Sequence, residues 1–348
     1  MTVVTRSLLE QLPKAELHCH LDGSVRPDTL LELGREYHVA MPRDDAEALR
    51  EYMLVRDASS LEEYLTRFAT TLSVMQTHEA IERIAHELAV DASREGVWYL
   101  ETRFAPLLNT RGGLTPAQAL EAAISGLAKA ERETGIVARV IVCALRTLAP
   151  ASSIEMARLA VDFHAHGVVG FDLAGAESLN PPSAHAEAFT YARSHGVACT
   201  CHAGEGDGAG SVADAVHSCC VSRIGHGTRL IEDPALTEYV NDRRIALEVC
   251  LTSNVQTRAA RSLEEHPLPA YLQRGLNVVL NTDNRLMSGT TLTDEYQLAS
   301  ERLGLGLDDL VRMALNGFES AFLPWNDRQA LVARAVAAIG ALRTRGAA

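Results

Sequence analysis

Residues able to hold a metal ion and move protons recur at a few points along the chain: His18 and His20, His202 with Glu205, His226, and Asp283 with Asn284. His18 and His20 are two apart in an apolar run of extended type, so both side chains leave the same face of a strand and form a clamp for one cation. Imidazole nitrogen with carboxylate oxygen suits zinc or a similar divalent ion, and three or four protein ligands with a position left for water make the catalytic kind of site. His18, His20, His202 and Asp283 supply that shell. The other histidines (His38, His78, His86, His164, His166, His185, His195, His217, His266) fall in helical or loop patterns and carry no such expectation. Cys199 and Cys201 alternate with His202 and therefore face away from it, toward the layer between strands and helices, as packing residues.

These groups need a frame that gathers distant segments. Short apolar, often β-branched runs followed by helical periods recur along the chain, the signature of βα units. Eight strands are predicted: Ala15 to Leu21, Val97 to Phe104, Val137 to Leu145, Val168 to Leu173, Ala198 to Ala203, Arg223 to His226, Ile245 to Leu251 and Asn277 to Asn281. Helical patterns lie between them, such as Glu79 to Glu95, Thr115 to Thr134, Ser152 to Ala165, Ala184 to His195 and Pro234 to Asp242, with Leu307 to Gly317 and Arg328 to Arg343 completing the last unit. The count points to an α/β fold, a closed (β/α)8 TIM barrel, with a doubly wound sheet as the competing architecture. The candidate residues then stand at the C-terminal strand ends, where barrel active sites lie. No linker or low-complexity tract divides the chain, so residues 1–348 read as one domain. The longest interval between strands, 23–96, follows the first strand and reads as a helical lid insertion at the mouth. Within it Tyr64, Leu65 and Phe68 share one apolar helical face.

The chain has 348 residues, 47% hydrophobic and 22% charged, enough for a large core. Its formal net charge of −13 repels phosphate backbones and anionic headgroups, so neither nucleic acid nor membrane is an expected partner. The first residues lack the basic and continuous apolar regions of a secretory signal, and seven scattered cysteines make a poor disulfide framework. A cytoplasmic protein is expected. Oligomeric state is left open.

The segments Pro13 to Gly23 (PKAELHCHLDG), Phe171 to Gly175 (FDLAG), His202 to Glu205 (HAGE), Arg223 to Gly227 (RIGHG), Leu247 to Asn254 (LEVCLTSN) and Asn281 to Asn284 (NTDN) resemble, in order, the motifs of adenosine deaminases of the amidohydrolase superfamily. The similarity spans roughly Pro13 to Leu323. The resemblance implies one zinc ion per subunit on His18, His20, His202 and Asp283, and hydrolysis of adenosine and 2′-deoxyadenosine to inosine and 2′-deoxyinosine with release of ammonia. By the same resemblance Glu205 gives a proton to purine N1, and His226 orients and deprotonates the attacking water. His20, Asp22, Gly175 and Asn284 border the nucleoside: Asp22 meets a ribose hydroxyl and the Gly175 N–H meets N3. Tyr64, Leu65 and Phe68 cover it. The chemistry asks for these types, because attack at C6 needs a nucleophile stronger than water and a carboxylic acid kept protonated in a poorly solvated pocket.

Three positions depart from the family pattern. Asn284 and Arg285 stand where a second aspartate and a proline are usual, and Leu251 where proline is usual. An amide at 284 donates to N7 at any pH, whereas a carboxyl donates only when protonated. Arg285 either reaches a carboxylate on an extended nucleoside such as aminodeoxyfutalosine or, the favoured expectation, is a solvated loop residue. Deamination of such a nucleoside, or another amidohydrolase reaction on the same barrel, is the alternative.

Overall fold

The computed structural model describes residues 4–346 except 57 and 59. Eight parallel strands form one sheet in chain order: β1 (Lys14–His20), β2 (Val97–Phe104), β3 (Val137–Leu145), β4 (Val168–Ala174), β5 (Ala198–Ala203), β6 (Arg223–His226), β7 (Ala246–Val249) and β8 (Val278–Leu280). Each is almost wholly buried, as expected of strands covered by helices outside and by one another inside. The sheet closes where β8 runs on into β1: the Asp283 N–H donates to His18 O at 3.0 Å and the His20 N–H to Asp283 O at 2.7 Å. The fold is a (β/α)8 TIM barrel, and its closure itself seats Asp283 between the two histidines of β1.

The helices follow from local signals. Thr77 caps His78–Arg94 by accepting the Ala80 N–H, Thr115 and Gln118 form a capping box on Pro116–Thr134, and Gly135 ends that helix at φ 79°. β7 and β8 are shorter than their apolar runs suggest. Past Val249 the chain turns into a short helix, Leu251–Gln256, instead of extending, and this turn brings Ser253 and Asn254 over the barrel. In the interval after β1 the structure has helices at Pro27–Glu36, Ala46–Met53, Leu61–Leu65, Phe68–Val74 and His78–Arg94. The last packs along Pro116–Thr134 in the outer ring, so within this interval the earlier four stand outside the repeating βα plan.

Inside the barrel the usual apolar layers are partly replaced by a ladder of charges, all at most 1% exposed. Glu101 pairs with Arg223 (2.5 Å), Arg223 with Glu248 (2.6 Å), Glu248 with Arg103 (2.9 Å) and Arg103 with Asp172 (3.0 Å). Alternation of positive and negative groups offsets the desolvation that each would suffer alone. The ladder is the floor on which the histidines stand.

Candidate active site

Five sequence-predicted residues converge above this floor. One donor atom from each of His18, His202, His226 and Asp283 lies within 4.8 Å of the others. His20 adjoins them, its Nε2 3.0 Å from His202 Nε2 and 3.3 Å from Asp283 Oδ1. His18 Nε2 lies 3.3 Å from the same Asp283 oxygen. Two non-glycine residues of the group, His226 (φ 63°) and Asp283 (φ 62°), adopt left-handed backbone, a strain that persists at sites where the surroundings enforce it. Gly225 makes room: a Cβ there would stand 3.2 Å from the His18 ring and 3.1 Å from the His202 backbone.

The ladder fixes how the rings present themselves. His18 Nδ1 bonds Glu248 at 3.0 Å and His202 Nδ1 bonds Asp172 at 3.0 Å, so in each ring Nδ1 carries the proton and Nε2 keeps its lone pair. His18 Nε2 is buried without a hydrogen-bond partner, aimed at the centre of the cluster. Histidines oriented by carboxylates behind them, with free nitrogens converging beside an aspartate, suit a divalent metal ion of the zinc type. Burial alone would raise the two carboxylates; Arg103 and Arg223 hold Glu248, and His202 and Arg103 hold Asp172, well below the ordinary range.

His226 is oriented by a different chain. The Leu268 N–H donates to His266 Nδ1 at 3.1 Å, so the neutral His266 ring, pushed down to about 3 by burial, has its proton on Nε2. That proton meets Asn254 Oδ1 at 3.2 Å, which turns the Asn254 NH2 toward His226 Nδ1 at 3.0 Å. The neutral His226 ring therefore carries its proton on Nε2, 3.4 Å from Glu205 Oε2. Ser253 donates to Asp283 Oδ2 at 2.6 Å.

A cavity of about 490 Å³ opens over the cluster, bordered by His20, Asp22, Gly175, Glu205, Asp283 and Asn284 on its polar side and by Leu61, Tyr64, Leu65, Phe68 and Leu72 on its apolar side. Every sequence-predicted site residue is on this wall or directly beneath it. Glu205 is 5% exposed; burial, then the charges of Asp283 and Glu177, raise its carboxyl well above the ordinary range. Asp22 is pushed up to about 7 by burial, and its Oδ1 has no partner. It is not a helix cap, since the next helix starts at Pro27 with Arg26 before it. The Tyr64 hydroxyl bonds Ser288 at 3.1 Å, joining the helical segment to the short helix Arg285–Ser288 after β8. Phe68 sits edge-on to His20, ring centres 6.3 Å apart.

Arg285 corrects an expectation. It is neither solvated nor turned to the cavity: the side chain is 10% exposed and pairs with both Glu16 and Glu95. Cys199 and Cys201 are buried in packing positions, as alternation implies. Sequence reasoning passed over Asp172, Glu248, Ser253, Asn254 and His266. An ionisable residue inside an apolar strand run was a signal for the first two; nothing local marked His266. A second groove, about 1000 Å³, lies at the opposite strand ends and holds none of the candidate residues.

A parallel barrel with converging histidines, an aspartate and a buried carboxyl raised toward its neutral form at the C-terminal mouth defines an amidohydrolase-type hydrolase. A sequence model of the adenosine deaminase family matches residues 13–338, and the chain belongs to that family. It is 42% identical over 342 residues to an adenosine deaminase of Mycobacteroides abscessus, covering 93% of this chain and 94% of that one. Among solved structures it is similar to the adenine deaminase of Arthrobacter aurescens (TM-score 0.88, 27% identity, 94% of this chain and 99% of that one). It is also similar to a Burkholderia ambifaria amidohydrolase with bound Zn (TM-score 0.89, 27% identity, 99% of this chain and 96% of that one). Among the described residues no helix is long and apolar enough to cross a membrane.

Proposed function

We propose that the protein hydrolyses adenosine and 2′-deoxyadenosine to inosine and 2′-deoxyinosine, releasing ammonia, with one zinc ion held by His18, His20, His202 and Asp283. A zinc ion held there would supply a water activated for attack near pH 7. The observation that carries the reading is a single cavity in which the buried Glu205 carboxyl, pushed above the ordinary carboxylate range by burial and by Asp283 and Glu177, faces the histidine cluster. Attack at C6 pushes electrons onto N1, and Glu205 delivers its proton there. His226 meets the attacking oxygen with Nε2–H, so its role is orientation rather than the proton removal implied by the resemblance. Asp283 is the acceptor left for the water's proton.

Substrate contacts follow from the unpartnered groups. Asp22 Oδ1 accepts a ribose hydroxyl, the Gly175 N–H meets N3, and Asn284 on the cavity wall donates its amide to N7. Leu65, Phe68 and the Tyr64 ring cover the purine and exclude water. With Arg285 committed to Glu16 and Glu95, it offers nothing to a carboxylate-bearing nucleoside. An ammonia-release assay over adenosine, 2′-deoxyadenosine, a 5′-extended adenosine, AMP and free adenine tests this. Activity on both nucleosides is expected, and ammonia from free adenine alone overturns the ribose role of Asp22.

A further inference from the structure

Glu177 lies two residues past Gly175, is 2% exposed, and among the described residues faces no arginine or lysine within ion-pair distance. Its carboxylate is spent instead on backbone. Oε1 accepts the Gly204 N–H at 2.7 Å; Oε2 accepts those of Glu205 (2.9 Å), Gly206 (2.6 Å) and Asp207 (3.2 Å). Four successive N–H groups point one way because Gly204 takes a left-handed φ of 73°, folding the loop after β5 into a nest for an anion. The same segment is held from its other side by Arg146, 2% exposed, which donates to the carbonyls of His202 and Leu173. A buried glutamate and a buried arginine thus grip opposite backbone groups of one six-residue stretch, 202–207, that carries both His202 and Glu205.

We infer that Glu177 is a positioning residue for Glu205: its carboxylate gathers the 204–207 amides and so sets where the Glu205 carboxyl stands against the purine. The inference rests on the deaminase reading above. Glutamate suits the task because an acceptor-only group with two oxygens satisfies four donors, whereas glutamine turns an NH2 toward N–H groups that need an acceptor. Placement matters because an acid displaced by about 1 Å forfeits on the order of 100-fold in rate. The negative charge of Glu177 also acts on Glu205 in the direction that keeps it protonated.

The test compares parent, Glu177→Gln and Glu177→Asp, each assayed for kcat and KM on adenosine, for zinc content, and for hydrogen exchange of the 204–207 amides. Glu177→Gln is expected to lose about 100-fold in kcat with KM within about threefold, to keep its zinc, and to exchange those amides faster while the strand amides stay protected. Glu177→Asp, still an acceptor-only anion, recovers part of kcat. An unchanged kcat in Glu177→Gln overturns the inference, as does parallel loss of zinc, KM and strand protection, or failure of both variants to fold, because each makes Glu177 a general stabiliser. A parent that releases no ammonia sinks the deaminase reading; an active parent with a fully active Glu177→Gln sinks this inference alone.

Discussion

Glu248 and Asp172 on the barrel floor and Glu205 and Asp22 at its mouth are all at most 5% exposed, yet the first pair is held ionised and the second pair is pushed toward the neutral acid. Burial acts on the four alike. What differs is the company: Arg103 and Arg223 lie against the floor carboxylates, while Glu205 has the charges of Asp283 and Glu177 for neighbours. The floor pair can therefore act as fixed anions that orient imidazoles, and the mouth pair as groups that exchange protons or hydrogen bonds with a substrate. One functional group, the carboxyl, serves two purposes, set by the charges around it.

The largest break in this contrast is Glu205→Gln. It keeps the shape and removes the proton, so kcat on adenosine should fall by about 10²–10⁴-fold or become undetectable, with zinc content unchanged. A variant retaining most of its turnover removes Glu205 from the proton donor's role. On the floor, Glu248→Gln removes the charge that Arg103 and Arg223 pair with and weakens the acceptor behind His18. Zinc affinity should fall about 10–100-fold and unfolding stability by about 3–5 kcal/mol, read by metal titration and denaturant melts. Intact zinc affinity in that variant would show that the carboxylate behind His18 does not tune the metal site.

How much of this arrangement was legible in the sequence depended on how local its cause was. The strand run Val137–Leu145 is bounded as its apolar, β-branched composition predicts, because a strand buried along most of its length leaves a nearly continuous signal. The ends of β7 and β8 are set by what the chain does next, the turn into Leu251–Gln256, and composition does not show it. The histidines of β1 stood out by spacing. His266 and Glu177 did not, since each works through one partner segment met only in the fold. Arg285 looked like a loop residue for the same reason: its burial comes from Glu16 and Glu95, far away in the chain.

A smaller effect is expected at Asn284, which lines the mouth and whose amide needs no proton uptake to donate. Asn284→Ala removes about one neutral hydrogen bond to the purine, so kcat/KM should drop about tenfold, far less than in Glu205→Gln, with little change in its pH dependence. Equal losses in the two variants would put Asn284 in the chemical step and end the distinction between donor and acid.

Glu295 sharpens the comparison because it is a fully buried carboxylate outside the cavity. It accepts bonds from Thr252 (2.5 Å to the hydroxyl) and Thr290 (3.0 Å), has no arginine against it among the described residues, and is pushed up to about 7 by burial. A carboxyl raised from about 4.5 in the unfolded chain to about 7 when folded binds its proton more tightly in the native state. Its contribution to stability is full below about pH 4.5 and is lost as pH rises through 7. Glu295→Gln has no such titration, so the parent's stability relative to the variant should decline between pH 5 and pH 8, by of order 3 kcal/mol in urea unfolding. Taking the difference between the two proteins at each pH removes the titrations they share. A gap that stays constant would mean that burial without an arginine does not by itself raise a carboxyl in this barrel, and that the protonated state of Glu205 comes from the charges of Asp283 and Glu177.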